Sequence, residues 1–239
     1  MRVEGGKAIY GASVGILMLE ARFPRIPGDM GNATTWPFPV HYRIVRGATP
    51  DRVVRQGAPD LLSHFIDAAR ALVADGVDGI TTNCGFLSLM QAELQQAVPV
   101  PVATSSLMQV GLVNAVLPPG KRAGILTIAG SSLSGAHLTA AKVPANTPIG
   151  TTEGGAEFTR AILDNEPTLD VAAARQDNVA AAKALMESHP ELGAIVLECT
   201  TRVPYAADIQ AVTGLPVFSI ESFVTWFQSG LVPRRFPTP

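Results

Sequence analysis

Runs of lysine or arginine are missing from the 239-residue chain, and so is any apolar stretch of bilayer length. The first absence, with a formal net charge of −2, removes the electrostatic footprint that nucleic acid or an anionic membrane requires. The second argues against a spanning helix, which needs about 20 apolar residues. The longest early stretch, Ala8 to Leu19, is shorter and carries Tyr10 and Ser13, and it reads as a first buried strand. Met1-Arg2-Val3-Glu4 makes a poor n-region and Glu20 and Arg22 follow closely, so no signal peptide is expected and the cytoplasm is the expected compartment. Cysteine is scarce as well. Cys84 and Cys199 are too few for a disulfide framework, and four histidines offer no Cys/His spacing for zinc, so two free thiols and no metal are expected. Phosphate loops are absent too, since Gly28-x-x-Gly31 and Gly154-Gly155 have neither the spacing nor the lysine of a P-loop.

What is present is a globular composition, with 47% hydrophobic and 16% charged residues, and an internal repeat. Gly15-Ile16-Leu17 returns as Gly124-Ile125-Leu126. Ala68-Ala69-Arg70-Ala71-Leu72 returns as Ala181-Ala182-Lys183-Ala184-Leu185, and the apolar run ending in Cys84 returns as the run ending in Cys199. At that last offset Gln95 meets Gln210, and Pro101-Val102 meets Pro216-Val217. The matches keep their order, so the chain reads as a duplication and the two cysteines as equivalent positions. Within each half short β-rich runs alternate with helical patterns such as Leu61-Leu62, Phe65-Ile66 and Ala69, the sign of βαβ units. The expected fold is α/β, with two pseudo-symmetric lobes that are each a small parallel sheet flanked by helices. The first lobe spans residues 1–110, with the segment 216–239 packing back on it, and the second spans 111–215. Pro118-Pro119-Gly120 marks the join.

Each cysteine ends a strand-like run and precedes a helical pattern, with Pro204 suited to a first turn and Gly214 to a helix exit. Helix N-termini at the carboxyl ends of parallel strands favour an anion, so a carboxylate ligand and lowered thiol pKa values are expected there. A lone cysteine in an apolar strand is ordinarily a small buried hydrophobe. Two cysteines at equivalent positions of facing lobes can instead work on opposite faces of one carbon, one removing a proton and one returning it.

Thr82-Asn83-Cys84-Gly85 and Glu198-Cys199-Thr200, on homologous lobes, resemble the paired cysteine motifs of the aspartate/glutamate racemase superfamily over nearly the whole chain. The resemblance implies a cofactor-independent racemase or epimerase that needs no pyridoxal phosphate, with catalytic Cys84 and Cys199. It also implies a small carboxylate substrate, with Thr200 contacting its carboxylate, and a homo-oligomer such as a dimer, without nucleic acid or membrane as partner. In the first motif Asn83 precedes the cysteine, where family members often place Asn and Thr after it. Thr201 stands where glutamate racemases carry histidine, which leaves hydantoins and other carboxylates open.

Asn32, Asn83, Gly85, Thr127, Thr200 and Thr201 are the expected substrate-binding residues. Asn32 and Thr34 lie in a polar loop after the first strand, where Arg22 or Arg25 could pair with a second carboxylate; a plain turn explains Gly28, Asp29 and Gly31 as well. Thr127 ends the strand equivalent to the first, and Ser131-Ser132 are expected either to bind ligand or to cap the next helix. Glu153 is expected in a helix first turn, and the four histidines in helices or loops as surface or packing residues. Two alternatives keep the fold but change the reaction, to decarboxylation or to cis–trans isomerisation of a diacid. A third is a bilobed protein that only binds its ligand.

Overall fold

The computed structural model describes residues 4–237. Residues 1–3, which hold most of the n-region considered above, and residues 238–239, the end of the 216–239 segment, lie outside the described residues. In chain order the elements are β1 (Val14–Leu19), β2 (Val40–Val45), α1 (Pro50–Val54), α2 (Leu62–Asp75), β3 (Gly79–Thr82), α3 (Gln91–Ala97), β4 (Val102–Ala103) and α4 (Val110–Val116). There follow β5 (Arg122–Thr127), α5 (Gly135–Ala140), β6 (Ile149–Thr151), α6 (Phe158–Leu163), α7 (Val171–Ser188), β7 (Leu192–Leu197), α8 (Ala206–Thr213), β8 (Val217–Phe218) and α9 (Ile220–Leu231).

Among the described residues the strands form two parallel four-stranded sheets flanked by helices, in the orders β2-β1-β3-β4 and β6-β5-β7-β8. The orders coincide, as a duplication requires, and the central strands β1, β3, β5 and β7 are almost wholly buried because helices cover parallel sheets on both faces. The repeated sequence motifs do the same work in each lobe. A Cβ on Gly15 would lie 3.0 Å from Leu72 of α2, and one on Gly124 3.4 Å from Leu185 of α7, so each glycine lets its repeated helix lie close on the sheet. Ile80 donates its N–H to Pro101 and Ile195 donates to Pro216, both at 2.9 Å.

Four local expectations are corrected. The Ala8–Leu19 stretch becomes strand only from Val14, since Gly11 adopts φ +91° and breaks the extended backbone. Glu153 lies in a turn, not a helix: Gly154 (φ +89°) reverses the chain after β6, and the Glu153 carboxylate accepts the Ser131 N–H at 2.9 Å. The cap of α5 is accordingly Ser134, paired with His137, and not Ser131 or Ser132. His41 lies in β2, where its polar side chain faces Asp75.

The two lobes are joined by buried contacts. The Ser106 hydroxyl donates to the Leu197 carbonyl at 2.6 Å, and the Ser88 hydroxyl to the His137 carbonyl at 3.2 Å. One continuous core cluster holds Phe86 and Leu87 together with Ile128, Phe158 and Tyr205. The last helix, α9, lies against the first sheet: Ile220, Phe223 and Val224 pack with Val14, Ile16 and Met18, while Phe227 and Leu231 close over Gly79. Among the described residues no helix is long and apolar enough to cross a membrane.

Candidate active site

Both cysteines stand at the carboxyl ends of equivalent strands. Cys84 follows β3 and precedes a short 3-10 helix, Gly85–Met90; Cys199 follows β7 and precedes another, Thr200–Tyr205. Each is buried, neither is in a disulfide, and both line one cavity between the lobes. Asn83, Gly85, Glu198, Thr200 and Thr201 line it as well, and Leu19, Phe23, Val54, Phe86, Ile128 and Ile162 give it a mainly apolar wall. Its volume is about 30 Å³, the space of about one water. The cleft is therefore narrow, and a substrate of several heavy atoms needs the lobes or their rim loops to part.

Of the expected binding residues, Asn83, Gly85, Thr200 and Thr201 come together with the cysteines, and the side chains of Asn83, Thr200 and Thr201 are already engaged. Asn83 Oδ1 accepts the Leu19 N–H at 2.7 Å, and the Thr200 hydroxyl donates to the Asn83 carbonyl at 2.6 Å, tying one lobe to the other beside the cavity. Thr201 Oγ1 lies 2.9 Å from Cys199 Sγ. Thr127 stands one layer behind, its hydroxyl donating to Glu198 Oε2 at 2.8 Å. Asn32 is not brought to the cavity wall: it caps a short 3-10 turn, accepting from the N–H and hydroxyl of Thr34 and donating to the Arg25 carbonyl. Arg25 donates through Nη1 to buried Asp29 at 2.8 Å, while its Nη2 is buried without a partner. The Arg22 backbone donates to Asn165 in the other lobe.

Two buried charged residues bear on the site: Glu198 lines the cavity, and Arg202, outside its lining, acts on Cys199 and Glu198 through its charge. Glu198 is 1% exposed and Arg202 0%. Arg202 donates through Nη2 to the Thr127 carbonyl and the Thr152 hydroxyl, each at 3.0 Å, and stacks over Phe158 at 5.1 Å. Its Nε and Nη1 have no partner, a costly state for a buried cation unless a negative group faces it. Neither residue stands out from the sequence as a site residue. The available signal was a carboxylate directly after the apolar run Ala194–Leu197, where burial demands a partner. Gly85 explains how Glu198 fits: a Cβ there would lie 2.7 Å from the Glu198 carbonyl and closer still to its carboxylate. Only glycine leaves that space beside Cys84.

The electrostatics differ from the expectation of lowered thiol pKa values. Burial pushes both thiols up, and the Glu198 charge adds to the rise. Cys199 reaches about 11, held down in part by Arg202 and the Thr201 hydroxyl; Cys84, without such partners, goes higher. Helix-end N–H groups lower each value, yet desolvation outweighs them. Burial likewise raises Glu198 to about 7, against the Thr127 hydroxyl and Arg202, and lowers Arg202 to about 10. Both thiols are therefore held protonated, Cys84 more firmly than Cys199. Among the described residues no three His, Cys, Asp or Glu side chains meet in a group suited to a metal ion.

No protein-family model matches the chain. Among curated proteins it is 31% identical over 231 residues to a dimethylsulfoniopropionate lyase of Durusdinium sp. clade D, covering 92% of this chain and 75% of that protein. It is 28% identical over 237 residues to dimethylsulfoniopropionate lyase 7 of Emiliania huxleyi, covering 92% and 67%. Among solved structures a glutamate racemase isoform from Bacillus anthracis superposes with a TM-score of 0.63 at 16% identity, over 92% of this chain and 81% of that one. That likeness shows the shared fold.

Proposed function

Because the chain belongs to the family of the dimethylsulfoniopropionate lyases, on the aspartate/glutamate racemase superfamily fold, we propose that it cleaves a 3-sulfoniopropionate, dimethylsulfoniopropionate first, by removing an α-proton and expelling the sulfide. The observation that carries this reading is the placing of two buried thiols from opposite lobes on one small, mainly apolar cavity. Elimination and racemisation begin with the same step, loss of the proton α to a carboxylate. They differ in whether the β-carbon bears a leaving group. A sulfonium is such a group, and it departs as a neutral sulfide without needing a proton.

Cys199 is the base in this scheme. Thr201 supplies a hydroxyl at 2.9 Å and Arg202 a buried positive charge, both favouring the thiolate over the thiol. Cys84, held more firmly as the thiol, faces the developing enolate and donates to it. The walls Phe23, Phe86, Leu19 and Val54 suit S-methyl groups, and aromatic faces attract a desolvated cation. Closure of the cleft around the bound molecule excludes water and strengthens these interactions.

The paired thiols favour a second reading, two-base racemisation or epimerisation of a small amino acid or related carboxylate, in which Cys199 and Cys84 exchange roles between enantiomers. One experiment separates the two. Purified protein is incubated in D2O with dimethylsulfoniopropionate in one tube and with aspartate, glutamate or a hydantoin in others. Equal amounts of acrylate and dimethyl sulfide are expected in the first, and no α-deuteration in the others. Deuterated amino acid or hydantoin without sulfide would replace the first reading by the second.

A further inference from the structure

A two-base racemase returns to the substrate the proton count it took, but an elimination does not. With a sulfonium leaving group the Cys199 thiolate takes the α-proton, the C–H electron pair becomes the C=C bond of acrylate, and the C–S pair leaves on sulfur as dimethyl sulfide. Acrylate leaves as an anion, and Cys199 is left as a neutral thiol. One proton per turnover must therefore leave the enzyme before the next.

Resting on the lyase reading, we propose that Glu198 is the acceptor of that proton: at rest Glu198 is the carboxylate and Cys199 the thiol, and with the next sulfonium cation bound Cys199 Sγ–H passes its proton to Glu198, forming the thiolate and leaving a carboxylic acid that loses its proton to solvent when the cleft opens to release products. Several observations support this. Glu198 is the carboxylate of the cavity lining among the described residues, and its charge acts on both thiols. The Thr127 hydroxyl fixes Oε2, while Oε1 lies in the space that Gly85 leaves free beside Cys84. The charges also count: Cys199 and Glu198 share one buried cation, Arg202, so the pocket accommodates one anion well and two poorly.

The groups facing Glu198 are the Cys84 thiol from the first lobe, the Thr127 hydroxyl from β5, and Cys199 and Arg202 from its own segment. Burial holds its carboxyl up near 7, against Thr127 and Arg202, so the acid and the carboxylate are both accessible in neutral solution. The equivalent residue of the first lobe is Asn83, which cannot take a proton. Proton exit is thus built into one lobe.

The test uses the full chain and dimethylsulfoniopropionate, with acrylate measured by rapid quench. Wild type is expected to turn over linearly, with an acidic limb in its pH–rate profile near neutrality. Glu198→Gln keeps the shape and the Thr127 contact while removing the carboxylate charge that opposes the thiolate. It is expected to show no burst and to turn over about 100-fold more slowly, a usual size for a lost acid–base group, with that limb gone. Thr127→Val leaves the carboxylate but deletes the hydrogen bond that favours its charged form, so the limb should move to higher pH. This variant decides the matter if the Gln variant fails to fold. A linear Gln variant at wild-type rate with the limb unmoved, or an unmoved limb in Thr127→Val, would overturn the proton exit and leave the lyase reading standing. No acrylate from wild type would overturn both.

Discussion

Asn83 and Glu198 occupy the same place in the two lobes: each donates its backbone N–H to the first central strand at 3.0 Å, Asn83 to Leu17 and Glu198 to Leu126, and each directly precedes a cysteine. The neutral amide accepts the Leu19 N–H, and the carboxylate accepts the Thr127 hydroxyl. The duplicated scaffold therefore presents two like thiols in unlike electrostatic surroundings. That asymmetry suits a reaction run in one direction.

Each thiol should be indispensable. Cys84→Ser and Cys199→Ser are expected to lower sulfide release by at least about 100-fold, because a serine hydroxyl is too weak an acid to be carried as an alkoxide or to match the thiol's proton transfers. Both substitutions are nearly isosteric in a packed site, so circular dichroism and melting should be close to wild type.

Glu198 should write its burial into the stability curve. Its folded value, about 7, lies above the ordinary 4.5, so between those values the native state binds more protons than the unfolded chain. Its contribution is then complete below pH 4.5 and lost as pH rises through 7, amounting to no more than about 3 kcal/mol. Urea unfolding across that window should show wild type losing stability relative to Glu198→Gln. Parallel curves would contradict the assigned burial.

Gly85→Ala should collide with Glu198, whose carbonyl would lie 2.7 Å from the new Cβ. Overpacking of this kind costs about 1 to 3 kcal/mol, and it moves the carboxylate as well. A lower melting temperature with a larger loss of turnover is expected. Gly135→Ala, where a Cβ meets nothing within 4 Å, serves as the control.

Much of this was legible in the sequence because duplication left marks that periodicity could find. Gly15 and Gly124 repeat because each lies under a repeated helix, and Cys84 and Cys199 repeat because each ends the same strand. Asn32 was less legible for the opposite reason: a polar loop residue looks the same whether it binds a ligand or caps its own turn, and here it caps its turn. Glu198 and Arg202 were passed over since their importance lies in burial, which a residue's identity does not reveal. The expected drop in thiol pKa failed because a helix end of one or two turns acts weakly against full desolvation.

The narrow cleft should protect the thiols. Alkylation by iodoacetamide at pH 8 is expected to be slow, as both are buried and held protonated. Arg55, just past α1, meets Asp164, just past α6, at 3.0 Å across the two lobes, and residues of both helices line the cavity. The pair is exposed and is worth at most about 1 kcal/mol, so Arg55→Ala should barely change melting yet speed alkylation. Equal alkylation rates in mutant and wild type would remove this pair from the control of opening.

The central claim is that the α-proton leaves to a cysteine as the sulfide departs. Its most direct measurement is a competition between dimethylsulfoniopropionate and the same molecule carrying deuterium at the α-carbon, followed by the isotopic composition of the acrylate formed. The account predicts a primary isotope effect on kcat/KM that disappears when deuterium is placed on the S-methyl groups instead. Absence of acrylate, or acrylate formed with no preference for the unlabelled α-carbon, would contradict it.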